Sequence, residues 1–285
     1  YRVEVIRGPS SSIYGTNAFM GVINVITRRG NDLKGMEVSG EVASFDTYKG
    51  RLSYGRRFEN GLEALVSGST YDSKGKSELY YREFDSPATN NGIARNADGD
   101  RFNSLLSTLM LKGFRLQGAY VSRDKTIPTA PFGVEFNNTG TRTNDERGYL
   151  DLKYEHILDD RSNITSTLYY DRYQYRGTYM LPGTPNKDDA VGEWWGGDVK
   201  LTTRMLKRHN IIAGGEFVYN ARQDQSNYDE QPYSPYLDDK RNSRTWALYV
   251  QDEFTILENL ILNIGLRYDH YDTFGGTTNP RVALI

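Results

Sequence analysis

The most constraining feature of this sequence is a long series of β-strand patterns joined by connections of two very different lengths. Eleven segments are predicted as strands, and several of them have apolar residues at every second position, the period of a half-buried β-strand, whereas 101–112 is apolar on both faces. In the last of them, Leu262, Ile264 and Leu266 share one face and Arg267 lies on the other. A twelfth strand is predicted to begin near Asn279. The eleven segments are 36–45, 48–58, 61–72, 101–112, 113–123, 147–158, 162–175, 193–205, 208–222, 243–257 and 259–272.

The connections alternate between tight turns and long polar loops after the first hairpin. Because consecutive antiparallel strands reverse direction, this alternation places every long loop at the same end of the sheet. A soluble β-sandwich has no reason for that arrangement, whereas outer-membrane β-barrels routinely combine short periplasmic turns with long extracellular loops. The tight turns are Glu59-Asn60-Gly61, Lys112-Gly113, Asp159-Asp160, Leu206-Lys207 and Glu258-Asn259. The predicted long loops are 73–100, 124–146, 176–192 and 223–242.

The composition supports a β-rich membrane protein and argues against several other classes. The sequence contains 22 Tyr, 28 Gly and no run of about 18 apolar residues, so no transmembrane helix is predicted. A barrel strand needs an apolar residue only at every second position, so an apolar fraction of 37% is compatible with a transmembrane barrel. The net charge of −2 argues against a nucleic-acid partner.

Tyrosines near the predicted strand ends indicate a further membrane feature. Tyr and Trp concentrate where a membrane meets water because their rings are amphipathic. We therefore predict an interfacial band of tyrosines, although Tyr is also simply a β-prone residue. The predicted members of the band are Tyr71, Tyr120, Tyr173, Tyr175, Tyr219, Tyr268 and Tyr271.

The residue types of the chain give no indication of catalysis. The three histidines, His156, His209 and His270, are far apart in the sequence. The chain also has no Cys nucleophile, no metal-binding histidine pair and no Gly-x-Ser-x-Gly motif. We predict that the protein is not an enzyme and that it has no catalytic residue, metal site or cofactor.

The first 27 residues differ from the rest of the chain. A short β-prone run, 3–6, stops at Gly8-Pro9, and the serines that follow can cap a helical turn. Gly15 can end that turn before a second apolar strand, 22–26. A phosphate-binding loop is disfavoured because no Gly-Lys-Ser/Thr follows the glycines. The residues alone therefore predict a β-turn-β unit.

Three motifs in this unit are Val-Glu-Val-Ile-Arg-Gly-Pro at 3–9, Ser-Ile-Tyr-Gly at 12–15 and Gly-Val-Ile-Asn-Val-Ile-Thr at 21–27. They resemble the end of the plug domain of TonB-dependent outer-membrane transporters, and the remainder more loosely resembles the first half of that family's barrel. The resemblance implies an all-β fold, with a partial transmembrane antiparallel β-barrel of about 11–12 strands out of about 22. The implied domains are the C-terminal end of a plug (1–30), a linker (31–35) and the N-terminal half of the barrel (36–285).

The same resemblance implies energy-coupled transport across the outer membrane of a Gram-negative bacterium. The expected partners are outer-membrane lipid, an extracellular ligand, and the TonB complex through an N-terminal segment that precedes these residues in a longer protein. The resemblance also implies that the Arg of the Ile-Arg-Gly motif, here Arg7, pairs with lumen-facing Glu residues. The candidates are Glu216 and Glu253, since an Arg inside a closed lumen needs a carboxylate partner.

The long loops supply candidate residues for ligand contact. Aromatic and basic groups suit an anionic, aromatic iron chelate through stacking and charge pairing, so a ferric siderophore is the expected ligand class. Cobalamin, haem or a saccharide are alternative ligands, and a passive porin or a soluble β-rich adhesin are alternative classes of protein. The candidate residues are Tyr179 in the 176–192 loop and Tyr228, Tyr233, Tyr236 and Arg241 in the 223–242 loop.

Overall fold

A computed structural model describes residues 2–7, 15, 20–204 and 206–285, with Arg7 described by its backbone only. A single helical turn, α1 (Gly30–Leu33), precedes the main sheet, and no helix among the described residues is long and apolar enough to cross a membrane. The strands of the described chain are β1 (Arg2–Arg7), β2 (Gly21–Ile26), β3 (Gly35–Ala43), β4 (Thr47–Arg57), β5 (Glu63–Ser73), β6 (Glu78–Tyr80), β7 (Ile93–Arg95), β8 (Asp100–Leu111), β9 (Phe114–Thr126), β10 (Arg142–Asp159), β11 (Ser162–Leu181), β12 (Thr184–Thr203), β13 (His209–Glu230), β14 (Tyr233–Leu257), β15 (Leu260–Tyr271) and β16 (Gly275–Leu284). Short 3-10 turns lie at Arg82–Phe84, Pro87–Gly92 and Pro131–Gly133.

Twelve strands build the main sheet in simple up-and-down order, from β3 at one edge through β4, β5 and β8 to β16 at the other. The predicted number of barrel strands is confirmed. Apolar side chains line up across neighbouring strands, as where Leu152 of β10 pairs with Leu116 of β9 and Leu168 of β11. Such cross-strand pairs fix the register of a sheet that has one apolar face. In the described residues the sheet is open, as expected for part of a barrel.

The two ends of the main sheet differ in the length of their connections. At one end, here called the short-turn end, the strands are joined by 58–62, 112–113, 160–161, 204–208 and 258–259. At the other, the long-hairpin end, lie two long connections, 74–99, which carries the β6–β7 hairpin, and 127–141, beside the short connections 44–46, 182–183, 231–232 and 272–274. The predicted asymmetry between the ends is therefore confirmed for the two long connections.

Two of the four predicted long loops are wrong, because 176–192 and 223–242 are extended strands. β11 and β12 pair continuously up to the turn at Pro182-Gly183, and β13 and β14 pair up to Gln231-Pro232. These four strands have 20 to 25 residues, whereas about 9–11 residues are enough to cross a membrane. Their outer parts are polar on both faces, so they lack the apolar period by which strands are predicted.

The two faces of the main sheet can be assigned from one contact. Gly15, from the segment between β1 and β2, lies against Glu216 and Arg267, and a Cβ atom on Gly15 would be 3.3 Å from Nη2 of Arg267. We call the side of the sheet that carries Glu216 and Arg267 the inner face. The opposite, outer face carries exposed apolar side chains, which are Leu150, Leu152, Leu168, Val199, Phe217, Leu248, Val250, Ile264 and Leu266. This is the face that a bilayer would cover.

The predicted band of tyrosines is right for three residues and wrong for four. Tyr120, Tyr219 and Tyr268 lie on the outer face and join Trp195 and Trp246, with Trp195 and Tyr219 6.0 Å apart in an edge-to-face pair. The other four are also near strand ends, but they lie on the inner face, because successive residues of a strand point to opposite sides of the sheet. These are Tyr71, Tyr173, Tyr175 and Tyr271.

The helical turn α1 is fixed to the short-turn end of the sheet. The backbone N–H of Asn31 donates to Oε1 of Glu63 at 3.0 Å, and Gly30 is buried against β4 and β5. Gly55 of β4 leaves the space that the turn occupies, since a Cβ atom there would be 2.8 Å from Cβ of Leu33. The predicted linker 31–35 therefore overlaps a turn that is packed on the sheet.

Candidate functional site

A buried group of charges occupies the inner face where β13, β14 and β15 meet. Arg267 is 3% exposed, and it donates from Nε to Asp269 at 2.8 Å and from Nη2 to Glu216 at 2.6 Å. Asp269 is 1% exposed and also accepts a hydrogen bond from Nδ2 of Asn279 at 3.2 Å. A buried guanidinium is tolerated only when carboxylates compensate its charge, and here two do so. We call Glu216, Arg267 and Asp269 the inner-face ion cluster.

The surroundings of the ion cluster explain why these strands position it. The guanidinium of Arg267 lies over the ring of Tyr249, with Cζ 5.5 Å from the ring centroid. Tyr249 fits because its cross-strand partner is Gly214, where a Cβ atom would be 2.5 Å from the tyrosine hydroxyl. The remaining nitrogen of Arg267, Nη1, is buried and has no hydrogen-bond partner among the residues that the structure describes. This nitrogen can therefore donate a hydrogen bond to one more acceptor.

A cavity of about 670 Å³ lies beside the ion cluster on the inner face. Its wall includes Gly15, both acidic members of the cluster and five aromatic residues, which are Tyr169, Tyr173, Trp194, Trp246 and Tyr271. Arg147 contributes a cation next to it, with Cζ 5.9 Å from the ring of Trp194 and Nη2 2.7 Å from Asp171. Pockets for small molecules are commonly 300–1,000 Å³ and combine aromatic walls with a few charged groups. The cavity can hold an aromatic, charged ligand.

The predicted contact between Arg7 and the two glutamates is only partly visible. The side chain of Arg7 lies outside the described residues, so its pairing stays a prediction. Glu216 belongs to the ion cluster next to Gly15, and its partner in the described chain is Arg267. Glu253 lies apart from it and accepts hydrogen bonds from Asn210 at 2.9 Å and Asn263 at 3.4 Å.

The five predicted ligand residues lie on two projecting hairpins and not in the cavity. Tyr179, on the β11–β12 hairpin, has its hydroxyl 2.5 Å from that of Tyr175. On the β13–β14 hairpin, the rings of Tyr228 and Tyr233 are 5.5 Å apart. Arg241 is not a free cation, because it pairs with Asp239 at 2.7 Å.

Tyr236, the remaining candidate, is tied to an acidic residue on the same hairpin. Its hydroxyl donates to Oδ2 of Asp229 at 2.6 Å. This hydrogen bond, together with one from Asn186, holds the pKa of Asp229 below its usual range. The same bond raises the pKa of Tyr236. Asp229 therefore keeps its negative charge, and the hairpin presents it beside an aromatic ring.

The members of the ion cluster contributed by β15 were missed in the sequence. Arg267 and Asp269 are two residues apart in a strand whose other face is apolar, so both had to point to the same side. An Arg and an Asp placed side by side on the inner face of a barrel could have been identified as an internal ion pair by that spacing.

Comparisons with known proteins identify relatives of the barrel part and of the whole chain. The family model described as TonB dependent receptor-like, beta-barrel, matches residues 69–285. The iron-regulated outer membrane virulence protein of Vibrio cholerae is 23% identical over 304 residues, which cover 99% of this chain and 41% of that protein. The ferric enterobactin receptor of Pseudomonas aeruginosa is also 23% identical, with 99% and 43% covered. This chain thus spans about two fifths of the length of these relatives.

Solved structures show the same fold. The crystal structure of the siderophore receptor PiuA from Acinetobacter baumannii superposes with a TM-score of 0.71 at 15% sequence identity. The superposition covers 99% of this chain and 50% of that receptor. The open twelve-stranded sheet therefore has the architecture of one side of a complete receptor barrel.

Proposed function

Because the chain belongs to the TonB-dependent receptor family, whose β-barrel model matches residues 69–285, we propose that it forms part of an active transporter for ferric siderophores. The chain is an outer-membrane β-barrel protein of the Gram-negative type. In the proposed arrangement residues 1–30 are the end of the plug, 31–35 link it to the wall, and 36–285 form the N-terminal half of the barrel. Further strands must pair with β3 and β16, since open sheet edges are not tolerated in hydrocarbon.

The observation that carries this proposal is the contact between Gly15 and the inner-face ion cluster beside the 670 Å³ cavity. A receptor that only admits small solutes needs an open lumen, whereas here a preceding segment rests on the wall. The cavity between that segment and the wall is lined by aromatic and charged groups. We infer that a ligand held there is released when the segment moves, and that the TonB complex supplies the force.

The ion cluster itself stays intact during such movement. Arg267 keeps both of its carboxylate partners on the wall, so departure of the segment at Gly15 breaks no ion pair among the described residues. If the wall charge were instead compensated only by the plug, each opening would expose an unpaired buried charge, which costs several kcal/mol. The wall can therefore hold its shape while the plug moves.

The proposed ligand is an anionic, aromatic iron chelate. Its first contacts are with the aromatic residues of the projecting hairpins, where the rings of Tyr228 and Tyr233 lie 5.5 Å apart and tilted by 50°. Aromatic stacking favours catecholate rings, and Nη1 of Arg267, which has no partner among the described residues, can donate a hydrogen bond to a ligand oxygen. The relatives are an iron-regulated outer-membrane protein and a ferric enterobactin receptor by name. Cobalamin, haem and saccharides are the alternatives that the same assay must include.

Uptake of labelled ligand by iron-starved cells tests this proposal. Cells whose other ferric receptors are deleted are expected to accumulate iron from a catecholate chelate, and only while TonB is present. Neither labelled cobalamin nor haem is expected to accumulate above background. Accumulation of cobalamin, haem or a saccharide in place of iron would refute the ligand class, and TonB-independent uptake would refute the mechanism.

Replacement of Tyr228 and Tyr233 by Ala is expected to weaken ligand binding about tenfold, since loss of an aromatic pair removes about 1 kcal/mol or more. The affinity is measured by titrating purified protein with the ferric chelate. Tyr48→Ala is the matched control, because Tyr48 is an exposed aromatic residue on the outer face of β4. Equal affinities for the wild type, the Tyr228→Ala, Tyr233→Ala double variant and Tyr48→Ala would show that the hairpin tyrosines do not contact the ligand.

Replacement of Arg7 by Ala is expected to loosen the plug, because its proposed partner on the wall would lose an ion pair. The measurement is the rate of proteolysis within residues 1–30 in the folded receptor, which should rise several-fold. Arg2→Ala serves as the control, since Arg2 pairs with Glu4 inside the same hairpin at 2.7 Å. Unchanged proteolysis and unchanged iron uptake in Arg7→Ala would remove Arg7 from the plug contact.

A further inference from the structure

The outer face contains a notch that the transport function does not use. Gly148 of β10 pairs with Tyr120 of β9 on one side and Arg172 of β11 on the other. Because Gly148 has no side chain, a cavity of about 450 Å³ lies over it, bordered also by Leu150 and Tyr170. We call these five residues the Gly148 notch. Its backbone is ordinary strand, so the glycine is not required by a turn.

The notch lies where the apolar band of the outer face ends. Towards the short-turn end, the neighbouring outer-face residues are apolar, as at Leu152 and Leu168. Towards the long-hairpin end they are polar, as at Glu146 and Arg176. Outer-membrane barrels have their short turns in the periplasm, so the notch faces the outer leaflet at the level where acyl chains meet headgroups.

The charges around the notch leave one cation available. Arg176 pairs with Glu146 at 3.2 Å, and the hydroxyl of Tyr120 donates to the other oxygen of Glu146 at 3.2 Å. Glu146 is therefore already neutralised. Arg172 is exposed and makes no ion pair with any residue that the structure describes, and Glu193 of β12 lies directly across the ladder from it on the same face. A guanidinium at the membrane interface is suited to bind a phosphate through two parallel hydrogen bonds.

The notch combines an apolar surface with a positive charge at its rim. Leu150 and the rings of Tyr120 and Tyr170 form an apolar floor and walls, with Arg172 at the polar rim. An elongated molecule that is apolar at one end and carries phosphate at the other satisfies both parts. A free phosphate would leave the apolar floor uncovered, and a siderophore in the lumen would be on the opposite face of the sheet.

We propose that the Gly148 notch binds one phosphate-bearing lipid of the outer leaflet, with an acyl chain over Gly148 and a phosphate on Arg172. The binding site is separate from the transport pathway, because it lies on the outer face. It would hold a single lipid in place beside β9, β10 and β11.

Native mass spectrometry of the detergent-purified complete receptor, titrated with diphosphorylated lipid A, tests the proposal. Wild-type protein is expected to retain one lipid molecule at concentrations where Arg172→Gln retains at least fivefold less. Gly148→Leu, which fills the notch without changing charge, is expected to lose retention to a similar extent. The matched control is Arg142→Gln, which should retain the lipid as well as the wild type does. Arg142 lies on the same face of β10, six residues from Gly148, which at 3.3 Å per residue is about 20 Å.

Two further arms identify the source of the binding. Inorganic phosphate in millimolar excess should displace little lipid, and a phosphate-free glycolipid should be retained at least fivefold less than lipid A. Wild-type retention by both Gly148→Leu and Arg172→Gln would overturn the proposal, as would full displacement by inorganic phosphate. Should Arg172→Gln fail to fold, Arg172→Lys provides the comparison, with retention expected between those of the wild type and Gly148→Leu.

Discussion

Replacing Arg267 by Met is expected to destabilise the barrel by about 3–5 kcal/mol, because it leaves two carboxylates facing each other without their shared cation. Asp269 is 1% exposed and cannot recover its lost hydration, while Glu216 is partly accessible. The free energy of unfolding in urea, followed by the gel shift between folded and heat-denatured receptor, measures the loss. The plug at Gly15 should loosen as well, since it rests on the same guanidinium.

Two companion variants separate burial from charge. Lys74→Met removes an exposed ion pair with Asp46 at 2.8 Å, and its cost should stay below about 1 kcal/mol. The double variant Arg267→Met, Asp269→Asn should be more stable than Arg267→Met alone, because the deeper of the two unpaired charges is gone. A stability of Arg267→Met equal to that of Lys74→Met would show that the cluster is not a buried charge network.

Replacing Gly30 by Ala is expected to release the linker turn α1 from the wall. A Cβ atom at Gly30 would overlap the carbonyl oxygen of Ala64, which is part of the β4–β5 ladder and cannot move aside. Overpacking of this kind costs about 1–3 kcal/mol, and more when backbone must shift. Trypsin cleavage after Arg28 and Arg29 should accelerate at least tenfold, because the turn would no longer hold them against the sheet.

Gly40→Ala is the control for that experiment. Gly40 lies in β3, and a Cβ atom there would have no heavy atom within 4 Å. Its cleavage rate should match that of the wild type. If Gly30→Ala were cleaved no faster than Gly40→Ala, α1 would have to be held by something other than its fit against β4 and β5.

The parts of the fold that the sequence revealed are those where burial leaves a period in the residues. Alternation such as Leu262, Ile264 and Leu266 against Arg267 marked the strands, because one face meets lipid and the other does not. Above the membrane both faces of β11 to β14 meet water, and there no such contrast exists. Those extensions were consequently interpreted as loops, although cross-strand pairs such as Thr178 with Lys187 continue the ladder.

The candidate site was predictable only in part, because it depends on the register between strands that are distant in the sequence. Glu216 was identified from its strand and its acidic character, but its partner Arg267 is 51 positions away. The pairing of β14 with β15 is shifted by a bulge between Thr255 and Leu257, which the apolar period of the sequence does not reveal. Similarly, the sequence shows which residues of β11 share a face with Tyr173, but the contact at Gly15 was needed to show that this is the inner face.

The unequal lengths of the strands make the rim of this wall uneven in height. β13 continues for ten residues beyond Asn220, which at 3.3 Å each is about 30 Å, whereas the β3–β4 hairpin ends at Ala43 and Thr47. The wall is therefore tall in its middle, at β11 to β14, and low at both edges, at the β3–β4 and β15–β16 hairpins. A bulky solute arriving from outside passes more easily over either low edge than over the tall middle strands.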